Sequence, residues 1–267
     1  YEWNVAAYRT NLHDDIYFTG FTASQSFFTT IGESRRQGIE LGGRTRFGKF
    51  GLRVNYALTD ATFQSSFKLL SPNNSTAVTD PTKADYQQIR VEPGDRIPGV
   101  PQHNANITLD YEITPAWKAM LSMVAHSWSY LRGNENNDHQ PGPQACKNVR
   151  TVDPNTGAET VACVPQPDFQ YDGKIPGYAV FNLQTTYALT KDVTVGLQIN
   201  NLFDRKYYSA GRLGVNPFSP SVNGAIGPSG WNYNSGEWLN TQLIAPGAPR
   251  GIWLWVSATL DFRPSPQ

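Results

Sequence analysis

Residues 192–208 read DVTVGLQINNLFDRKYY, and the first half of this stretch alternates without a break. Val193, Val195, Leu197 and Ile199 point to one side, and Thr194, Gly196, Gln198 and Asn200 to the other. A period of two marks a strand with unlike faces, because successive side chains leave opposite sides of a pleated backbone. The apolar face has to be covered by something. In a soluble sandwich a second sheet does this, but here the alternation recurs strand after strand with no helical period between. The pattern shifts at Asn200-Asn201, since Leu202 and Phe203 are adjacent and both apolar. A β-bulge or strand bend near one rim is the expectation there.

Working outward, Phe181, Leu183, Thr185, Tyr187 and Leu189 alternate with polar partners, and Thr190-Lys191 turns the chain into the quoted strand. On the far side a Gly-, Asn- and Trp-rich loop, about 210–248, leads to a last strand, 252–262. That strand sets Ile252, Leu254, Val256, Ala258, Leu260 and Phe262 against Trp253, Trp255, Ser257, Thr259 and Asp261. Toward the N-terminus lie five more strands. Trp3, Val5 and Ala7 mark the first, Ile39 to Phe47 the second and Leu52 to Leu58 the third. Ala105 to Ile113 and Trp117 to Ala125 follow. Polar loops at about 65–100 and 133–176 separate the pairs, while Gly48-Lys49 and Thr114-Pro115 are tight turns.

Eight strands with links alternating between two-residue turns and long polar loops fit a transmembrane antiparallel up-and-down β-barrel. One face is aliphatic and aromatic. The other carries Glu40, Arg44, Arg46, Arg53, Asp110, Glu112, Lys118 and Asp261, as a wet lumen would. Lipid offers no hydrogen-bond partners, so every backbone group must pair inside a closed sheet. So much charge would need close ion pairing in the side-chain-filled interior of an eight-stranded barrel. The first and last strands are therefore expected to leave each other unpaired and to need strands beyond this chain.

Composition excludes little else. The 22 basic and 22 acidic side chains balance, which points to no nucleic-acid partner. No apolar run approaches the roughly 20 residues of a membrane-spanning helix, but a barrel strand shows only alternate residues to lipid. Residue 1 is Tyr, and the start reads as processed or truncated. Cys146 and Cys163 share one polar loop and are expected to form a disulfide, which implies an oxidising compartment.

Asn200, Asn201, Leu202, Phe203, Asp204 and Tyr207 carry a segment that closely resembles the N-L-F-D-[KR]-x-Y motif in the penultimate strand of TonB-dependent outer-membrane receptors. Arg35 to Glu40 resembles the family's R-x-x-G-x-E segment, and Arg96 to His103 a further one. The resemblance runs from Trp3 to Phe262. It implies a bacterial outer-membrane barrel of about 22 strands with an N-terminal plug in its lumen. It also implies import of a scarce nutrient, commonly a ferric siderophore or cobalamin, with energy passed through TonB. On that reading residues 1–262 are the C-terminal part of the barrel and 263–267 a short tail. The TonB box, the plug and the N-terminal strands would lie outside this sequence. Partners implied are outer-membrane lipid, those missing strands and plug, TonB, the barrel-assembly machinery and a small-molecule metal chelate. Phe262 resembles the family's C-terminal assembly signal, here followed by five more residues.

No catalytic constellation, resident metal site or cofactor motif is found. Trp117, Tyr111, Tyr187 and Phe262 sit beside the short turns and read as an interfacial aromatic girdle. Asp153 to Gly157 reads as a hairpin turn rather than a calcium loop. Near the long loops, His126, Trp128, Tyr130, Arg132, Arg212, Trp231, Tyr233 and Trp238 combine cations with aromatic planes. Such a set suits an anionic or aromatic ligand through charge-assisted bonds and stacking; loop tips packing on one another would use the same residues. The alternatives to a receptor are a self-contained small barrel with a structural or adhesive role, and a barrel enzyme.

Overall fold

The computed structural model describes residues 1–21, 26–144, 146–152, 155–222 and 224–259. Eight strands form one antiparallel sheet: β1 (Glu2–Leu12), β2 (Ser34–Phe47), β3 (Phe50–Phe63), β4 (His103–Thr114), β5 (Trp117–His126), β6 (Tyr178–Ala188), β7 (Val193–Asn200) and β8 (Gly251–Ala258). Each pairs with its neighbours in sequence, so the sheet is a simple meander. Among the described residues no helix is long and apolar enough to cross a membrane.

Register shows why the alternation matters. Leu52, Leu109, Leu121, Leu183, Ile199 and Ile252 are paired in succession across six strands, forming one apolar row. Neighbouring rows add Val54, Ile107, Met123 and Phe181, then Thr185, Leu197 and Leu254. Leu254 and Val256 are 78% and 66% exposed, too open for a core and suited to lipid. The opposite face pairs Arg53, Thr108, Ser122 and Asn182 in succession. Its ion pairs Glu2–Arg44 (2.8 Å) and Arg46–Glu112 (3.2 Å) are solvent-exposed. Pairs of that kind contribute little stability. At Gly196 a Cβ would strike the Trp255 ring, which lies across it, so glycine lets a large lumenal side chain lie flat on β7.

Tyr111 stacks on Phe50 (4.4 Å between centroids), and Trp117 pairs with Tyr187 while its Nε1 donates to Thr185 Oγ1 (2.8 Å). These rings are exposed at the short-turn end of the apolar face. Phe262 lies outside the described residues. The turn between β6 and β7 has four residues, not two: Thr190 Oγ1 accepts from the backbone N–H of Asp192 and of Val193. That caps the turn locally, at the cost of a wider loop than the sequence expectation.

β1 and β8 form no ladder with each other, so the sheet is open and the small closed barrel is not built. Each edge presents unpaired N–H and C=O groups, costly in lipid.

The long loops differ most from expectation. Ile16–Phe21 pairs with Ser26–Thr30, Phe67–Leu70 with Gln88–Val91, Lys147–Val152 with Glu159–Val164, and Tyr208–Asn216 with Leu239–Pro246. Two small cores form where loops and hairpins meet the strand ends, one around Phe63, Val91, Ile31 and Ile97, the other around Leu131, Ile175 and Leu213. The hairpin 147–164 encloses the segment Asp153 to Gly157 that reads as a hairpin turn, although Asp153 and Pro154 lie outside the described residues.

A disulfide joins Cys146 to Cys163 (Cα–Cα 5.3 Å), closing this hairpin. Its reduction is expected to remove about 2–4 kcal/mol of local stability. Hydrogen exchange should then quicken across 147–164 while amides of the eight strands keep their protection. A thiol count on the unreduced, denatured protein should find none free.

Candidate functional site

The family-like segment is a strand end rather than a ladder defect. β7 and β8 keep register from Val193/Ala258 to Asn200/Gly251, so no bulge is present, and the chain bends at Asn201. Asn201 is buried with φ of 50°, a left-handed conformation that asparagine tolerates better than most residues. Its Nδ2 donates to the carbonyls of Arg205 (2.9 Å) and Ala248 (3.1 Å), and its Oδ1 accepts from Arg205 N–H (2.8 Å). Its own N–H donates to Asn182 Oδ1 (2.9 Å). Asp204 Oδ1 accepts from Arg250 N–H (3.0 Å). The polar residues thus tie the end of β7 to the start of β8. Leu202 N–H donates to Phe181 O (2.7 Å), Phe203 sits edge-on to Phe181, and Tyr207 lies beside Tyr178 and over Gly247. These contacts make the segment a structural brace.

The eight residues singled out for ligand contact divide into separate groups. His126 closes β5 facing the polar side; its Nδ1 bonds Asn104 Oδ1 (2.6 Å) and its ring meets Tyr178. Trp128 and Tyr130 meet edge to face, 5.1 Å apart. Two cations flank them: Arg96 lies 4.8 Å from the Trp128 centroid and Lys174 5.2 Å. Sequence reasoning missed both cations, because neither is near the two rings along the chain. Trp231 and Trp238 cluster with Phe218, and Trp238 Nε1 donates to Asn232 O (2.8 Å). Tyr233 is 69% exposed and lies against Gly227. This second group reads as packing of a loop tip.

Arg132 and Arg212 do come together. Their backbones form a parallel bridge: Arg132 N–H donates to Gly211 O (3.3 Å) and Leu213 N–H to Arg132 O (2.7 Å). Both line a cavity of about 560 Å³ between the loop hairpins, with Tyr17, Glu135 and an apolar wall of Ile16, Phe18, Phe28 and Leu69. Tyr17 and Glu135 escaped sequence reasoning. Glu135 lies in a run of asparagines, and only the fold buries it.

The loop 133–139 turns on side-chain hydrogen bonds. Asn134 Oδ1 accepts from His139 N–H, and Asn137 holds Arg96 through both its backbone groups. Glu135 accepts from Gly133 N–H on both oxygens (3.2 and 2.9 Å) and from Tyr17 OH (3.3 Å). Burial outweighs these donors and the nearby Arg132 charge, and pushes the Glu135 carboxyl up to about 7. Burial also raises the Tyr17 phenol, and the same cause lowers His139, whose Nδ1 accepts from Ser75 N–H. A carboxyl raised on folding contributes stability that is present in full below its ordinary value and lost as pH rises through about 7. Loop protection from exchange should accordingly weaken between pH 5 and pH 8, by about 3 kcal/mol at most. Glu135→Gln should remove that dependence.

Among the described residues no group of three or more His, Cys, Asp or Glu side chains could hold a metal ion.

The family model for "TonB dependent receptor-like, beta-barrel" matches residues 1–202. No curated protein matches the chain. Solved structures share its fold at low identity. The siderophore receptor PiuA from Acinetobacter baumannii is 15% identical with a TM-score of 0.54, over 96% of this chain and 26% of that one. The copper transporter OprC is 17% identical with a TM-score of 0.52, over 96% and 28%. The ferric yersiniabactin uptake receptor FyuA from Yersinia pestis is 14% identical with a TM-score of 0.52, over 96% and 27%. The chain spans about a quarter of the length of these structures.

Proposed function

The chain belongs to the TonB dependent receptor-like β-barrel family, and from that premise we propose that it forms the C-terminal wall of an outer-membrane receptor for a scarce nutrient. The nutrient is a ferric siderophore or a similar metal chelate. Residues 1–262 are barrel wall and 263–267 a tail. β1 and β8 join strands of the same receptor, a plug fills the lumen, and TonB supplies energy through that plug. The barrel-assembly machinery inserts the chain, reading its last strand and Phe262. The observation that carries this reading is a lipid-compatible apolar row running unbroken across six of the eight strands, with charge opposite and both edges open. Such a sheet is stable in a membrane only when further strands close it. No bond chemistry is required of it; the work is differential binding at the loops and movement of a plug.

The test uses the intact receptor in an iron-starved strain that lacks its other siderophore receptors. Uptake of radioactive iron should appear with one class of ferric chelate and vanish when TonB is deleted. A receptor correctly placed in the outer membrane that moves no iron or copper chelate would end this reading.

A further inference from the structure

We propose that the cavity bounded by Arg132, Arg212, Glu135 and Tyr17 binds an organic anion with an apolar body, and that Glu135 takes up a proton as the anion enters. The proposal rests on the receptor reading above, and names the chemistry of its ligand. Four features support it. First, the backbone bridge between Arg132 and Arg212 sets two guanidinium-bearing residues side by side on one wall. Planar guanidinium forks suit a carboxylate or phosphate, which they bond through two N–H groups at once. Second, much of the remaining wall is apolar, with Ile16, Phe18, Phe28 and Leu69 offering a surface to a ring or chain, and Ser71 and Asn73 as further polar lining. Third, its volume of about 560 Å³ lies in the range of small-molecule sites.

The fourth feature is Glu135, a buried carboxyl on the same cavity as both arginines. When ionised it competes with an incoming anion for the field of Arg132; when neutral it does not. Burial brings its titration near neutrality, so the competition changes across an ordinary pH range. Other groups leave this assignment intact. From its own loop Arg132 faces Glu135, from the Ile16–Phe21 strand Tyr17 does, with Asp15 acting on Tyr17, and from the Tyr208–Asn216 strand Arg212 lines the cavity. The 69–73 segment contributes no titratable side chain, Lys68 is paired with Asp85, and Arg96 lies over Trp128. Anion and proton enter together, one negative charge and one positive, so the net charge of the cavity is unchanged.

The test is calorimetric titration of the intact receptor in nanodiscs with the naphthoate anion and its neutral isostere naphthamide. Naphthoate should bind at least about tenfold more tightly than naphthamide, and its affinity should fall about tenfold from pH 6 to pH 8. Arg212→Gln should remove the preference for the anion. Glu135→Gln should hold affinity at its acidic value throughout. Tyr17→Phe deletes a bond to the ionised carboxylate and should move the midpoint to higher pH, which keeps the proposal testable if the Gln variant does not fold. Equal binding of the two probes, or a pH slope that survives in a folded Glu135→Gln protein, would overturn it. If chelate uptake proceeds while naphthoate is not preferred, this site falls alone. If naphthoate behaves as stated and no chelate is transported, the site stands and the transport reading falls.

Discussion

Replacing Leu197 with Arg is expected to destabilise the inserted protein by about 2–4 kcal/mol, whereas Gln198→Arg next to it should be nearly neutral. The two residues are adjacent on β7 and differ only in the face they occupy. Leu197 is paired with Thr185 and Leu254 in the apolar rows. An arginine there must reach through hydrocarbon to water, and its charge has no partner within the sheet. Gln198 is paired with Gln184 and Trp253 on the polar face, and its Nε2 donates to Asn200 Oδ1 (3.0 Å). An arginine at 198 gives up one amide bond and keeps its charge in a wet lumen. Urea titration of the intact receptor refolded into bilayers measures both. Equal sensitivity would mean that the lipid face has been assigned wrongly.

Asn201→Ala should cost about 3 kcal/mol in the same titration, a large effect for a small side chain. Alanine deletes three side-chain bonds at a buried position and leaves the carbonyls of Arg205 and Ala248 and the N–H of Arg205 without those partners. It also puts a Cβ-bearing residue without local polar bonding at φ of 50°. Asn201→Gly separates the two causes, since glycine accepts that φ freely but makes none of the bonds. A glycine variant nearly as stable as the parent would show that backbone strain, not the hydrogen-bonded tie between β7 and β8, sets the cost. The expectation is that glycine recovers only a minor part.

The disulfide, the strand count and the apolar and polar faces of the strands were all legible in the sequence, for local reasons. Side chains alternate along any strand, and an environment of lipid on one side and water on the other writes that alternation into residue choice. Val193 to Ile199 shows it over seven residues, and the paired rows from Leu52 to Ile252 show the same rule holding across strands. The open edges could be anticipated as well, because the charge opposite the apolar face is too abundant for a narrow, filled interior.

What the sequence could not specify is the loop architecture, where pairing is non-local and no single environment imposes a period. Tyr208–Asn216 and Leu239–Pro246 are separated by a Gly- and Asn-rich segment that reads as loop, yet they pair over most of their length. The Asn200-Asn201 shift read as a bulge or a strand bend, and the unbroken register and the side-chain bonds decide for a bend at a strand end. The cavity is the clearest case. Arg132 and Arg212 attracted notice as cations, but Tyr17 and Glu135 joined them only once hairpins from distant parts of the chain had packed together. A carboxyl acquires a raised pKa from its surroundings, and those surroundings are set by burial rather than by neighbours in sequence. The sequence by itself determined the faces of each strand; tertiary structure alone decided which distant polar groups share a wall, because contact across loops depends on closure of the chain and not on any repeat along it.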